Sequence, residues 1–150
     1  MPAFNPNTPL FAGSAEEVEA QFYEALQKAD LDQLMQCWAE DEDVVCVHPG
    51  GKRLVGFEDV RKVFESVFAN GALLITTERL HSIHSLTGAV HSVLERIHVT
   101  GENGQIHEIL VIATNIYMQT PQGWRMVTHH ASAADPEEDQ LSPPASVTLH

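Results

Sequence analysis

Nine histidines are the most conspicuous reactive groups in this 150-residue chain, because imidazole is the side chain that takes up or gives away a proton near neutral pH. His48 stands out by position: it ends the β-branched run Val44-Val45-Cys46-Val47 and precedes the turn-forming Pro49-Gly50-Gly51. An imidazole there can abstract a proton beside a carbonyl, or it can simply hold the turn through a hydrogen bond; both readings stay open. His129 and His130 look like a metal pair, but adjacent residues on a strand point to opposite faces and cannot share an ion. His81 and His84, three apart, also face opposite ways. His84 and His91 lie across the Thr87-Gly88 turn if its loop has two residues, yet two ligands leave zinc short of the three or four it takes. His98 and His107 would have to complete such a site across the sheet. Solvated or hydrogen-bonded strand histidines are the plainer expectation, so no metal is assigned. Glu95 sits among Val93, Leu94 and Ile97 and would serve as an acid or base if it reached an interior; pairing with Arg96, Arg79 or Arg125 on a solvated face is the alternative.

Other chemistries find no support in the pattern. Cys37 and Cys46 are nine apart with no metal spacing, which reads as reduced, partly buried thiols of a cytoplasmic protein. Gly50-Gly51 is not a phosphate loop, since no Gly-x-x-x-x-Gly-Lys run follows, and no serine stands in a nucleophile elbow. Eight cationic against twenty-one acidic residues leave a net charge of −13, which opposes nucleic acid and anionic membranes as partners. No apolar stretch approaches the roughly 18 residues of a membrane span, and the first residues lack the basic and apolar regions of a signal peptide.

The elements that must position these groups follow from periodicity. Residues 1–13, with Pro2, Pro6 and Pro9, are expected to be extended. Ser14 opens a capping box with Glu17, and the helix after it buries Val18, Phe22, Leu26 and Ala29 while turning Glu16, Glu19, Gln27 and Lys28 to solvent. Asp30 caps a second helix with Gln33, burying Leu31, Leu34, Met35 and Trp38. A short strand over 44–48 comes next. Gly56 admits a third helix striped with Phe57, Val60, Phe64, Val67 and Phe68, which stops at Asn70-Gly71. Four long strands fill 73–86, 89–100, 106–119 and 124–133, broken by hairpin turns. Helices first and sheet second predict an α+β domain over 14–134, followed by an irregular acidic, proline-containing tail over 135–150. The unbroken run Ile109-Leu110-Val111-Ile112-Ala113 is apolar on both faces, and three helices cover only one. A second copy of the chain is the expected cover, making a homodimer through the sheet.

This order of elements resembles the nuclear transport factor 2-like superfamily, and within it the SnoaL-like group. The likeness is carried by Asp30-Leu31-Asp32-Gln33-Leu34 with Trp38-Ala39-Glu40-Asp41, by Val44 to Pro49, by Gly56-Phe57-Glu58-Asp59-Val60, and by Gly123 to Ser132. The resemblance implies a cone: three helices in the concave face of a strongly curved antiparallel, cystatin-like sheet with a pocket inside. Matched to the ketosteroid isomerases, the base position falls on His48 and the oxyanion-hole acid on Asn115. The oxyanion-hole tyrosine falls on Phe22, with Tyr23 one place off. An amide in place of the acid, and the absence of aspartate between Leu73 and Ala134, depart from both the isomerase and the polyketide cyclase patterns.

For this expected cytoplasmic protein the resemblance implies binding of a small, largely apolar or carbonyl-containing molecule, with cofactor-free proton transfer of the isomerase, cyclase or dehydratase type. In that scheme His48 is the base, Asn115 donates to the oxyanion, and His130, expected to face the pocket, orients the ligand or relays a proton. Phe22, Tyr23, Trp38, Glu95 and Met118 are the expected ligand contacts. The alternatives are a non-catalytic assembly or interaction module whose cone is filled by core side chains and, third, a metal-dependent enzyme using strand histidines.

Overall fold

Capping decides where the helices begin. Ser14 is extended and its Oγ accepts from the Glu17 amide at 3.1 Å, starting α1 (Ala15–Lys28). The reciprocal half of the box is displaced by one residue: the Glu17 carboxylate accepts from the Gly13 amide at 3.0 Å. Ala29 closes α1 in left-handed backbone (φ 53°), and Asp30 caps α2 (Leu31–Gln36) by accepting from the Gln33 amide. The Gln33 side chain turns away to Gln21. Trp38 lies past the end of α2, in a single bridge to Met126. Gly56, at φ 102°, makes the bend into α3 (Phe57–Phe68). The structure, a computed structural model, describes residues 13–135 and 137. Apart from Gly13, Asp135 and Glu137, the expected extended N-terminal stretch and acidic tail lie outside the described residues.

The sheet has six strands in the order β2-β1-β6-β5-β4-β3: β1 (Val45–Val47), β2 (Leu54–Val55), β3 (Leu74–His84), β4 (Gly88–Thr100), β5 (Ile106–Thr120) and β6 (Gly123–Ala133). The last four are the expected antiparallel meander. The two-residue β2 is additional to the expected elements, and β1 runs parallel to β6. The first hairpin leaves residues 85–87 between β3 and β4 and pairs His84 with Ala89, which sets His91 opposite Ser82 and diagonal to His84.

Two bulges curl the sheet and reset which residues face the helices. In β3 the register passes from Arg79↔Val93 to His81↔Ser92, leaving Leu80 unpaired. In β6 it passes from Ile116↔Thr128 to Tyr117↔Met126, leaving Val127 unpaired. Each extra residue inverts the in–out alternation beyond it.

The helices lie on one face of this curl, with α1 crossing between β3 and β6. One apolar core joins Val18, Phe22, Leu26, Leu34, Trp38, Val60 and Phe64 to Ile75, Val93, Val111, Ala113, Tyr117, Met126 and Ala131. On β5 the both-faced run divides as the pleat requires: Val111 and Ala113 are in the core, while Leu110 and Ile112 are half-buried on the other side. Replacing Ser14 by Ala leaves a helix amide without its acceptor and should lower stability by about 1 kcal/mol. Urea unfolding of the Ser14→Ala protein checks this; an unchanged midpoint would show that the hydroxyl contributes nothing to starting α1.

Candidate functional site

Register pairing lines up one polar row across the concave face. His91 on β4 stands opposite Asn115 on β5, Asn115 opposite His129 on β6, and His129 opposite Cys46 on β1. All four are buried. Directly opposed residues share a face and lie within side-chain reach, so the row was bound to interact once the register was set.

α1 lays two more polar groups on it, Glu19 and Tyr23, one turn apart and on the same helix face. The Glu19 carboxylate, only 6% exposed, takes the Tyr117 hydroxyl and His91 Nδ1 on Oε2, each at 2.7 Å. It takes Arg79 Nε on Oε1 at 3.0 Å. Burial alone would raise its pKa, but these donors and the neighbouring His91 hold it below the ordinary carboxylate value. Asn115 donates through Nδ2 to the Tyr23 hydroxyl at 2.9 Å and, more distantly, to Glu19 at 3.4 Å. Tyr23 in turn donates to Glu95 Oε2 at 2.7 Å. With its amide nitrogen so engaged, Asn115 presents Oδ1 to His129 Nδ1 at 2.6 Å.

The protonation states follow from this enclosure. Burial pushes the Glu95 carboxyl up to about 7, with the charge of Glu19 adding and the Tyr23 hydrogen bond opposing. Burial brings His129 down to about 3, helped by His48 and His130. Tyr23 and Tyr117, both desolvated near carboxylates, stay phenols. His129 is therefore a neutral ring donating from Nδ1, which leaves Nε2 as its basic nitrogen.

His48 stands where this row meets a surface pocket. Its ring is 5.9 Å from that of His129 and edge-on to Phe64 at 5.1 Å, and Nε2 lies 3.9 Å from Cys46 Sγ. Burial lowers its pKa, so the ring is neutral and available to accept a proton. The pocket, about 420 Å³, is walled by His48, Gly51 and Lys52 of the β1–β2 loop, Leu54, and Asp59, Lys62 and Val63 of α3. A second cleft of about 960 Å³ is lined by Trp38, Glu40, Asp41, Met118, Gln122 and Arg125 among others. Trp38 Nε1 is buried there with no hydrogen-bond partner among the described residues.

Several expectations need correction. His129, not His130, faces the interior: the extra residue Val127 shifts β6 by one, and His130 is exposed on the outer face beside Thr114. Asn115 is inside as expected, but its amide is committed to Tyr23 and Glu19 and lines neither cavity. Phe22, Tyr23 and Glu95 are likewise walled into the core rather than set on a pocket. Met118 is 49% exposed and lines the outer cleft with Trp38. Glu95 turns inward to Tyr23, not outward to an arginine.

Glu19, expected on the solvent face of α1, is the residue sequence reasoning missed most plainly. Tyr117 and the inward turn of His91 went with it. The available signal was spacing: Glu16, Glu19 and Tyr23 follow one another at three and four residues along the edge of the apolar stripe. Cys37 and Cys46 are free and buried, and burial pushes both thiols up to about 12, so neither is a nucleophile. Among the described residues no helix is long and apolar enough to cross a membrane.

Comparison with known proteins places this geometry. Residues 15–136 match the family described as the SnoaL-like domain. A candidate calcium/calmodulin-dependent protein kinase type II association domain from Thiobacillus denitrificans is 32% identical, with a TM-score of 0.75 over 85% of this chain and 100% of its own. A candidate dehydratase of the NTF2-like family from Streptomyces avermitilis is 28% identical, with a TM-score of 0.71 over 80% of this chain and 94% of its own. A ketosteroid isomerase-like protein from Erwinia carotovora atroseptica, at 18% identity and a TM-score of 0.69 over 81% of this chain and 94% of its own, shares the fold. No match was found among curated proteins.

The buried pair Glu95 and His129 gives a signed pH prediction. Folded Glu95 keeps a proton that the unfolded chain releases above its ordinary 4.5, so its contribution is complete below that pH and is lost as pH rises through about 7. Folded His129 refuses a proton that the unfolded chain binds below 6.5. Its contribution is present above 6.5 and is lost as pH falls towards 3. The two slopes oppose each other between 4.5 and 6.5. In Glu95→Gln only the histidine slope remains, so unfolding free energy should climb more steeply with pH across that window than in the parent. Urea titrations at a series of pH values measure it, and parallel curves would mean that Glu95 is ionised in the folded protein.

Proposed function

The chain belongs to the SnoaL-like domain family, and we propose that it binds a small molecule with an apolar body and a carbonyl group at the His48 pocket and moves a proton on it. The observation that carries this reading is a neutral, half-buried imidazole on the wall of a cavity large enough for such a ligand. Leu54 and Val63 offer the apolar surface. Lys52 and Lys62 offer positive charge for an enolate oxygen or an acidic substituent. Four of the eight cationic residues, Lys52, Arg53, Arg61 and Lys62, fall within this short stretch of an otherwise acidic chain, which favours an anionic ligand there.

His48 acts as the base in this scheme. His129, in ring contact with it, replaces His130 as the group that orients His48 or passes its proton on. Asn115 is a positioning residue that fixes the His129 tautomer through Oδ1, rather than an oxyanion donor. No cofactor enters the scheme. The 28% identity to a candidate dehydratase fits chemistry of this kind. Two free thiols in the core fit a reducing, cytoplasmic setting.

A second reading, a dimeric assembly module, is favoured by one observation: the middle of the cone is filled by Phe22, Trp38, Phe64 and Tyr117, each at most 1% exposed. The outer rows Val90–Ile116–Thr128 and Leu94–Ile112–Ser132, in which Val90 and Ser132 are exposed, Leu94 is buried and the others are half-buried, suit a homodimer through the sheet under either reading.

Deuterium uptake separates the two. In D₂O, with a panel of small keto acids followed by NMR, the protein should accelerate exchange of a proton beside the carbonyl of at least one compound. His48→Ala should slow that exchange by about 10²-fold or more while changing the affinity by less than about threefold. Exchange no faster than in buffer for every compound, or equal loss of rate and affinity, would refute the base assignment. The dimer has its own test: light scattering at micromolar concentration should give twice the chain mass, and a stable monomer would remove it.

A further inference from the structure

The far end of the polar row carries a second constellation, distinct from the His48 pocket. Glu16 on the first turn of α1, His84 near the end of β3 and His91 on β4 point three ligand atoms at one spot. His84 Nε2 is 2.6 Å from Glu16 Oε2, His91 Nε2 is 3.3 Å from the same oxygen, and the two Nε2 atoms are 3.4 Å apart. An ion bound tetrahedrally at about 2.1 Å spaces its ligand atoms about 3.4 Å apart. Two of the three edges already match. The third is a hydrogen bond from His84 to Glu16 that lengthens when the His84 proton gives way to a metal.

We propose that Glu16, His84 and His91 form a site for a borderline divalent cation of the zinc type. Three features carry the proposal. His91 is wholly buried, and its Nδ1 donates to the Glu19 carboxylate at 2.7 Å. That fixes the tautomer and aims the Nε2 lone pair of the neutral ring at the other two ligands, the carboxylate–histidine arrangement that orients metal ligands elsewhere. Glu19 is itself held by Arg79 and Tyr117, so the support for His91 does not depend on solvent-exposed groups alone. The third feature is the Leu80 bulge. Without that extra residue the alternation of β3 would turn His84 to the outer face; with it, His84 joins His91 on the inner one.

The site is open on one side. The side chains of Glu16 and His84 are 41% and 43% exposed, which leaves room for water or another ligand beside three protein donors, as in sites that keep a free position. Two imidazoles and one carboxylate select zinc or cobalt over the harder magnesium and calcium. The chain's net charge of −13 favours the approach of any cation.

The test uses full-length protein without a histidine tag, stripped with chelator and titrated with Co²⁺ and then Zn²⁺. One equivalent of Co²⁺ should bind with visible d–d absorption, Zn²⁺ should displace it, and millimolar Mg²⁺ or Ca²⁺ should not. His84→Ala and Glu16→Gln, each altering a partly exposed side chain, should weaken binding about tenfold or more; His107→Ala, in β5 opposite Val99 at the far end of β4 from His91, should leave it unchanged. No saturable absorption, or binding that survives both ligand substitutions, would overturn the proposal and leave the cluster a hydrogen-bonded pair of histidines. Keto-acid exchange at His48 reads out a different pocket, so either proposal can fail without the other.

Discussion

A buried carboxylate controls the interior of this protein. Glu19 is enclosed by a helix and three strands and accepts from Arg79, His91, Tyr117 and Asn115. A charge so placed is tolerated only when its lone pairs are met, and meeting them orients every neighbour. Tyr117 must point its hydroxyl inward. His91 must donate from Nδ1. Asn115 must turn its amide nitrogen towards α1, which leaves its oxygen for His129. The tautomers of two histidines and the orientation of one amide thus descend from a single acidic side chain. Burial in the same enclosure, with the charge of Glu19 adding to it, raises the Glu95 carboxyl to about 7.

The fold was largely legible in the sequence because local signals agreed with one another. Ser14 and Asp30 cap where they were expected to, Gly56 bends where a bend was needed, and the four β-branched runs became four strands at nearly the expected limits. Family membership follows the same motifs. The site was less legible, for a physical reason. Which face a strand residue occupies depends on counting by two, and Leu80 and Val127 each spoil the count. No residue type marks them as bulges. Glu19 was hidden differently: a charged residue beside an apolar stripe reads as solvent-facing unless its donors, which come from β3, β4 and β5, are already known to be there.

The candidate sites lie at the margins of the cone rather than in its middle. Phe22, Trp38, Phe64 and Tyr117 close the centre, which leaves the openings at the edges, one where the β1–β2 loop meets α3 and one beside Met118 and Arg125. The polar row runs beneath that closed core from His129, beside the pocket, to His91 at the opposite side. Asn115 and Tyr23 are therefore better understood as struts between two outlying locations than as walls of a central chamber, which is why an amide can stand where the isomerase comparison implied an acid.

The unpaired residue in β6 has a consequence for descent. Because Val127 alone decides that His129 rather than His130 reaches Asn115, the interior imidazole is chosen by parity and not by composition. Loss of a single codon there would keep both histidines and exchange their surroundings, setting the buried one in water and its neighbour in the core. Length changes of one residue in this strand, more than point substitutions, are the route by which related chains would gain or lose an ionisable group inside the cone.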